Sequence, residues 1–91
     1  MKTYSKEESQ EILKRVAHWH FENDAIIRHF EFKNFLESLA FIQSVGLLAD
    51  KANHHPEIFN IYNKVQLKLS THDAAGVTEK DFLLATEINS I

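Results

Sequence analysis

Residues 17–52 read AHWHFENDAIIRHFEFKNFLESLAFIQSVGLLADKA, and a change of hydrophobic period inside this stretch decides the fold. In its first half Trp19 and Phe21 alternate with His18 and His20, and Phe30 and Phe32 alternate with His29 and Glu31. A period of two is the mark of a half-buried strand. Between the two runs lies Glu22-Asn23-Asp24, whose Asn and Asp tolerate left-handed backbone and bond to their own main chain. The expectation is a β-hairpin pairing Ala17–Phe21 with Ala25–Phe32. From Asn34, a suitable N-cap, the period becomes helical and runs to Ala52. Leu36, Leu39, Ala40, Ile42, Val45, Leu47 and Ala49 fall on one broad arc, with Glu37, Ser44 and Lys51 opposite. Phe41 and Leu48 fall together outside that arc, near the polar face. Isolated exposed apolar side chains are ordinary. A large Phe and a Leu on one stripe instead favour a second contact face, used for helix-to-helix assembly.

Outward from this stretch the signals stay local. Ser5-Lys6-Glu7-Glu8 has the form of a capping box, and Ile12, Leu13 and Val16 continue a helical stripe, which predicts a first helix over Lys6–Val16. Pro56 biases His55 toward extended backbone. Ile58–Tyr62 then reads as a short strand, and Val65, Leu67 and Leu69 alternate with Gln66, Lys68 and Ser70 in the next, with Tyr62-Asn63-Lys64 as the bend. Gly76 marks a loop, Thr78-Glu79-Lys80-Asp81 forms another capping box, and Phe82, Ala85 and Ile88 line a last helix. The order helix, hairpin, long helix, hairpin, helix predicts an α+β fold: a four-stranded antiparallel sheet with three helices packed on one face. Residues 1–91 form one domain.

Composition narrows the functional classes. The 91 residues include no cysteine, which removes disulfide scaffolds, thiolate metal sites and cysteine nucleophiles. A formal net charge of −3 is not a nucleic-acid footprint. No apolar run approaches a membrane span, and MKTYSKEESQ lacks the apolar stretch of a signal peptide, so a soluble cytosolic protein with no nucleic-acid or membrane partner is expected.

Six histidines in so short a chain are the unusual feature. The long helix ends in Asp50-Lys51-Ala52-Asn53-His54-His55-Pro56, and the last strand runs into Ser70-Thr71-His72-Asp73. If the second hairpin folds back on itself, His54, His55, His72 and Asp50 converge at one end of the sheet. Imidazole donates and accepts protons near neutrality, so such a set suits acid–base work with no covalent intermediate. Three His and an Asp can also ligate a metal. Adjacent His54 and His55 point to opposite sides of an extended chain, however, and no zinc spacing is present, so acid–base chemistry is preferred. On spacing alone a His pair at a helix end is more often a solvated cap near the negative end of the dipole. His18, His20 and His29 read as polar-face strand residues. Phe59 and Tyr62 read as core aromatics, or as rings that stack on a flat heterocycle.

The stretch from Asp50 to Asp81 resembles the signature of the pterin-4a-carbinolamine dehydratases: Asp50, His54-His55-Pro56, Tyr62, His72 and Asp81 stand in register with it. The resemblance continues upstream through the Trp19 hairpin, Phe30-Glu31-Phe32-Lys33 and the long helix. It implies dehydration of 4a-hydroxytetrahydropterin to quinonoid dihydropterin, in recycling of the pterin that aromatic amino-acid hydroxylases use, with no cofactor and no metal. It implies His54, His55 and His72 as catalytic residues and Asp50, Pro56, Tyr62 and Asp81 as substrate-binding ones, with a helix-capping role for Asp81 equally open. Ala74 stands where some animal members carry Cys, and Ile58 where relatives carry an aromatic. The implied assemblies are a homodimer through the sheets or a homotetramer through the long helices, where Phe41 and Leu48 would meet. The alternative is a non-catalytic interaction module of the same fold, acting as a dimerisation cofactor of a transcription factor.

Overall fold

The computed structural model describes residues 1–91. Helix α1 spans Lys6–Leu13, strand β1 His20–Glu22, β2 Ala25–Glu31, helix α2 Phe35–Ala52, β3 Glu57–Ile61, β4 Lys64–Leu69 and α3 Glu79–Ile88, with a 3-10 turn over His72–Ala74. The four strands form one sheet in the order β1-β2-β4-β3, and every neighbouring pair is antiparallel. The α+β architecture and element order expected from the hydrophobic periods are those observed.

Local chemistry accounts for the boundaries. In α1 both halves of the Ser5–Glu8 capping box form, with Glu8 N–H donating to Ser5 Oγ at 3.1 Å and Ser5 N–H to Glu8 Oε1 at 2.9 Å. The helix ends three residues earlier than the predicted Val16, because Lys14, Arg15 and Val16 bond back three residues rather than four. His18 then takes φ 77°, left-handed backbone that no strand accommodates, so β1 begins at His20 instead of Ala17. Asn23 and Asp24, at φ 49° and 59°, form the two-residue turn of the first hairpin. Asn34 caps α2 by accepting from Glu37 N–H at 2.9 Å.

One face of the sheet carries the core. Ile26, Arg28 and Phe30 of β2 stand opposite Leu69, Leu67 and Val65 of β4, and the three β4 residues are fully buried. Val45 and Ala49 of α2, together with Phe82, Leu84, Ala85 and Ile88 of α3, join them in one cluster with Val16, Trp19 and Val77. Asn89 clasps the edge: Trp19 Nε1–H donates to its Oδ1 at 2.8 Å, and its amide donates to Ala17 O at 3.0 Å. The Arg28 guanidinium also donates to Asn89 Oδ1, and partial burial lowers its pKa below the ordinary arginine value. The opposite face presents His20, His29, Glu31, Gln66, Phe59 and Ile61.

The long helix presents a different face to the core than its hydropathy suggests. Phe41 and Leu48 are not an outward stripe: both pack against the core beside Ile42. The Phe41 ring lies 4.5 Å from Phe30 and 5.0 Å from Phe32, an aromatic cluster that orients the helix. Leu36, Leu39 and Leu47, read as inward, are 74%, 42% and 69% exposed. Apolar residues cover most of α2, so its period cannot choose between two arcs; the aromatic surface of β2 makes that choice. The unpartnered apolar stripe of α2 is therefore Leu36, Leu39 and Leu47.

Candidate active site

Two chain reversals bring the His54-His55 pair and the segment that carries His72 to one end of the sheet. At the C-terminus of α2, Asn53 takes left-handed backbone at φ 49°, His54 N–H donates to Ala49 O at 3.0 Å, and Asn53 N–H to Asp50 O at 3.1 Å. This is a Schellman closure; Asn serves where Gly is usual because its short polar side chain tolerates the left-handed region. The closure turns His54 back under the helix. The next residue, His55, then faces outward, and Pro56 commits the chain to β3. Because Glu57 at the start of β3 pairs with Lys68 near the end of β4, the segment after β4 arrives at the same end of the sheet. There Thr71 bridges to Gly76, with Thr71 N–H donating to Gly76 O at 2.8 Å, and His72 opens the 3-10 turn between them. The N-terminal segment ties this loop down: Tyr4 N–H donates to Val77 O at 2.8 Å and Thr3 Oγ1 to Ala74 O at 3.1 Å. Gly76 lets the two segments cross closely: a Cβ there would lie 2.6 Å from Thr3 Cγ2, and the Thr3 side chain would have to shift.

At the centre is a buried histidine–carboxylate pair. His54 Nε2 lies 2.5 Å from Asp81 Oδ1, with the imidazole 10% exposed and the carboxylate not at all. Asp81 is the third residue of α3 and completes the second capping box: its Oδ2 accepts from Thr78 N–H at 2.9 Å. The same oxygen accepts from Thr71 Oγ1 at 2.9 Å, and Thr71 Oγ1 lies 2.6 Å from Thr78 Oγ1. A buried carboxylate with this many donors is well satisfied. Of the two readings of Asp81, helix capping is the one observed: Oδ2 caps α3, while Oδ1 holds the His54 imidazole and the carboxylate is fully buried.

His55 contrasts with this. Its Nε2 is 3.3 Å from Asp50 Oδ1, with side chains 59% and 86% exposed. That pair is free to break and re-form. His72 is exposed and keeps its ring outside the buried network, but its neighbour Thr71 is a member of it. Pro56 is half-buried between the His pair and β3.

Tyr62 is not brought to this end. It sits in the β3–β4 turn, 61% exposed and at φ 49°, one strand length away from Pro56. The five residues of β3 lie between the two, which puts them about 20 Å apart at the usual rise. Within one protomer Tyr62 is remote from His54, His55 and His72, and Phe59, 59% exposed, lies on the open sheet face between them. A depression of about 560 Å³ on that open face is lined by His29, Glu31, Phe59, Ile61, Lys64 and Gln66 among others, and holds none of the predicted site residues. His20 and His29 stack there with ring centroids 6.0 Å apart. They are strand residues on the polar face, as the alternation predicts. Sequence reasoning missed Thr71 and the hydroxyl of Thr78. The only signal for either was the capping box at Thr78 and the position of Thr71 beside His72.

The model of the pterin 4 alpha carbinolamine dehydratase family matches residues 2–91. A protein of Chloroflexus aurantiacus named for that family is 46% identical over 91 residues, covering 100% of this chain and 98% of its own. Another, from Sulfolobus acidocaldarius, is 45% identical over 89 residues, covering 94% of this chain and 98% of its own. A crystal structure described as a transcriptional coactivator/pterin dehydratase from Brucella melitensis superposes with a TM-score of 0.91 at 37% identity, over 98% of this chain and 97% of that one. A pterin dehydratase-like protein described as a RuBisCO assembly factor of the alpha-carboxysome shares the fold, with a TM-score of 0.64 at 16% identity over 79% of this chain and 83% of that one. The class that this fold defines is that of the pterin dehydratases. The chain belongs to the pterin-4-alpha-carbinolamine dehydratase family.

Proposed function

We propose that this protein dehydrates a 4a-hydroxytetrahydropterin to the quinonoid dihydropterin and water, by histidine acid–base catalysis. The observation that carries this reading is the buried His54–Asp81 pair at the sheet end where His55 and the His72 turn also emerge. The reaction asks for that equipment and little else. The C4a–O bond breaks as one imidazolium gives its proton to the departing hydroxyl, which leaves as water. A second imidazole takes the proton from N5, and the N5 electrons form the new double bond to C4a. No net proton, electron or covalent intermediate is required, so no cofactor and no metal enters. His54, His55 and His72 are the proton-transfer groups. Asp50 tunes His55, Asp81 holds His54, and Pro56 shapes the wall beside them. Tyr62 contributes to substrate binding only if a neighbouring subunit brings its turn across. The reaction belongs to recycling of the tetrahydropterin used by aromatic amino-acid hydroxylases, in the cytoplasm.

The assembly we propose is a homodimer or homotetramer, with the long helices meeting through Leu36, Leu39 and Leu47 rather than through Phe41 and Leu48. Leaving these leucines in water is costly, and a second copy offers a matching stripe. No helix is long and apolar enough to cross a membrane, so the stripe is not part of a span. The same stripe supports a second reading, an interaction module, since the Brucella structure is described as a transcriptional coactivator as well as a pterin dehydratase.

The test is to generate the carbinolamine with a hydroxylase and follow its ultraviolet decay with and without the protein. Acceleration at catalytic protein concentration is expected. Decay at the buffer rate would leave only the interaction module.

A further inference from the structure

We propose that Thr71 is a positioning residue that holds the Asp81 carboxylate on His54 Nε2, so that this histidine exchanges protons through Nδ1 alone. The inference rests on the dehydratase reading for its consequence in turnover, but its structural half stands on hydrogen-bond directions.

A carboxylate can only accept, so Thr71 Oγ1–H, at 2.9 Å, must donate to Asp81 Oδ2. Thr71 has then spent its one proton, and its 2.6 Å contact with Thr78 Oγ1 is one in which Thr78 donates and Thr71 accepts. Thr78 Oγ1 in turn accepts from Lys80 N–H at 3.3 Å. The chain of donors from Lys80 through Thr78 and Thr71 therefore runs one way and ends on Asp81. Thr78 N–H donates to the same Oδ2 at 2.9 Å. Two donors on Oδ2 stop the carboxylate from turning and present Oδ1 to His54 Nε2. Because Oδ1 also only accepts, the hydrogen of a neutral His54 ring sits on Nε2, and Nδ1 is left bare. Protonated His54 then offers an N–H at Nδ1, and neutral His54 offers a lone pair at the same atom.

Thr71 is well built for this role. It is 7% exposed and Thr78 and Asp81 are 0% exposed, so the network is shielded from bulk solvent. Its backbone is pinned by the bridge to Gly76. The capping box alone would hold Asp81 by one hydrogen bond to Oδ2. Thr71 supplies the second, from the strand end that also carries His72. One residue thereby couples the two halves of the site, and the hydroxyl is the part that matters.

The experiment compares wild type with Thr71→Val and Thr71→Ser in the full chain. Long-range proton–nitrogen NMR of the His54 ring reads the tautomer without substrate, and kcat and KM are measured in the decay assay. Wild type is expected to show one tautomer, protonated at Nε2. Thr71→Val leaves Oδ2 with one donor, so the carboxylate is expected to turn partly away from Nε2, mixing the tautomers and lowering kcat roughly ten- to a hundredfold, with KM within about twofold of wild type. Thr71→Ser, which restores the hydroxyl, is expected to recover both. A Thr71→Val protein with an unchanged tautomer and kcat and only a lower unfolding midpoint would overturn the proposal. So would a wild-type ring protonated at Nδ1, a result available even if Thr71→Val does not fold. A wild-type protein without turnover, whose His54 tautomer still depends on Thr71, would support the positioning role and retire the dehydratase reading instead.

Discussion

Two adjacent histidines in this protein have opposite fates, and two adjacent leucines seven residues earlier share them. His54 is buried against Asp81, while His55 reaches an exposed Asp50. Leu48 packs on the core, while Leu47 is 69% exposed. In each case neighbours of like chemistry are separated by which way one residue turns. The difference teaches that a side chain's role here follows from its partner, not from its type. A ring fixed by a buried carboxylate keeps one geometry and one protonated nitrogen. A ring beside an exposed carboxylate can swing and follow a substrate. A site that must give one proton and take another within one turnover can use both kinds.

The largest effect expected from breaking the comparison is at Asp81. Asp81→Asn removes the charge that His54 pairs with and half of a capping box, and is expected to destabilise the protein by about 3 kcal/mol in urea unfolding. It should also cut kcat roughly a hundredfold. Next comes the leucine pair. Leu48→Glu places a charge against the core and is expected to cost roughly 2–4 kcal/mol. Leu47→Glu should leave monomer stability nearly unchanged but shift the sedimentation profile toward smaller species if the outer stripe is the oligomer contact. The smallest effect belongs to Asp50→Asn. With both partners of that pair exposed, unfolding should move by less than about 1 kcal/mol, and a change in kcat near that of Asp81→Asn would erase the distinction drawn between the pairs.

Much of this was legible in the residues themselves. Asn23-Asp24 marked a hairpin because two residues that tolerate left-handed backbone stood between alternating runs, and they adopt it. Ser5–Glu8 and Thr78–Asp81 marked helix starts because capping boxes are local chemistry, and both form. The inward face of α2 was not legible. Its apolar residues cover two arcs, and Phe41 is drawn in by Phe30 and Phe32, a tertiary contact that no helical period contains. The strand boundary at His20 was hidden for a similar reason, since the left-handed turn at His18 leaves no compositional trace.

Within the site, the meeting of His54 with the chain after β4 was readable from hairpin topology alone. The distance of Tyr62 could also have been counted, because a five-residue strand separates it from the His pair. Thr71 was invisible, since a threonine at the end of a strand is unremarkable until its hydroxyl is seen to face a buried carboxylate.

The most direct test of the central claim is the rate of carbinolamine decay with His54→Ala/His55→Ala set against wild type at equal concentration. The expected loss of catalysed rate is at least about a hundredfold, with His54→Ala alone falling further than His55→Ala alone. A double variant that dehydrates the pterin as fast as the wild-type protein would contradict the assignment.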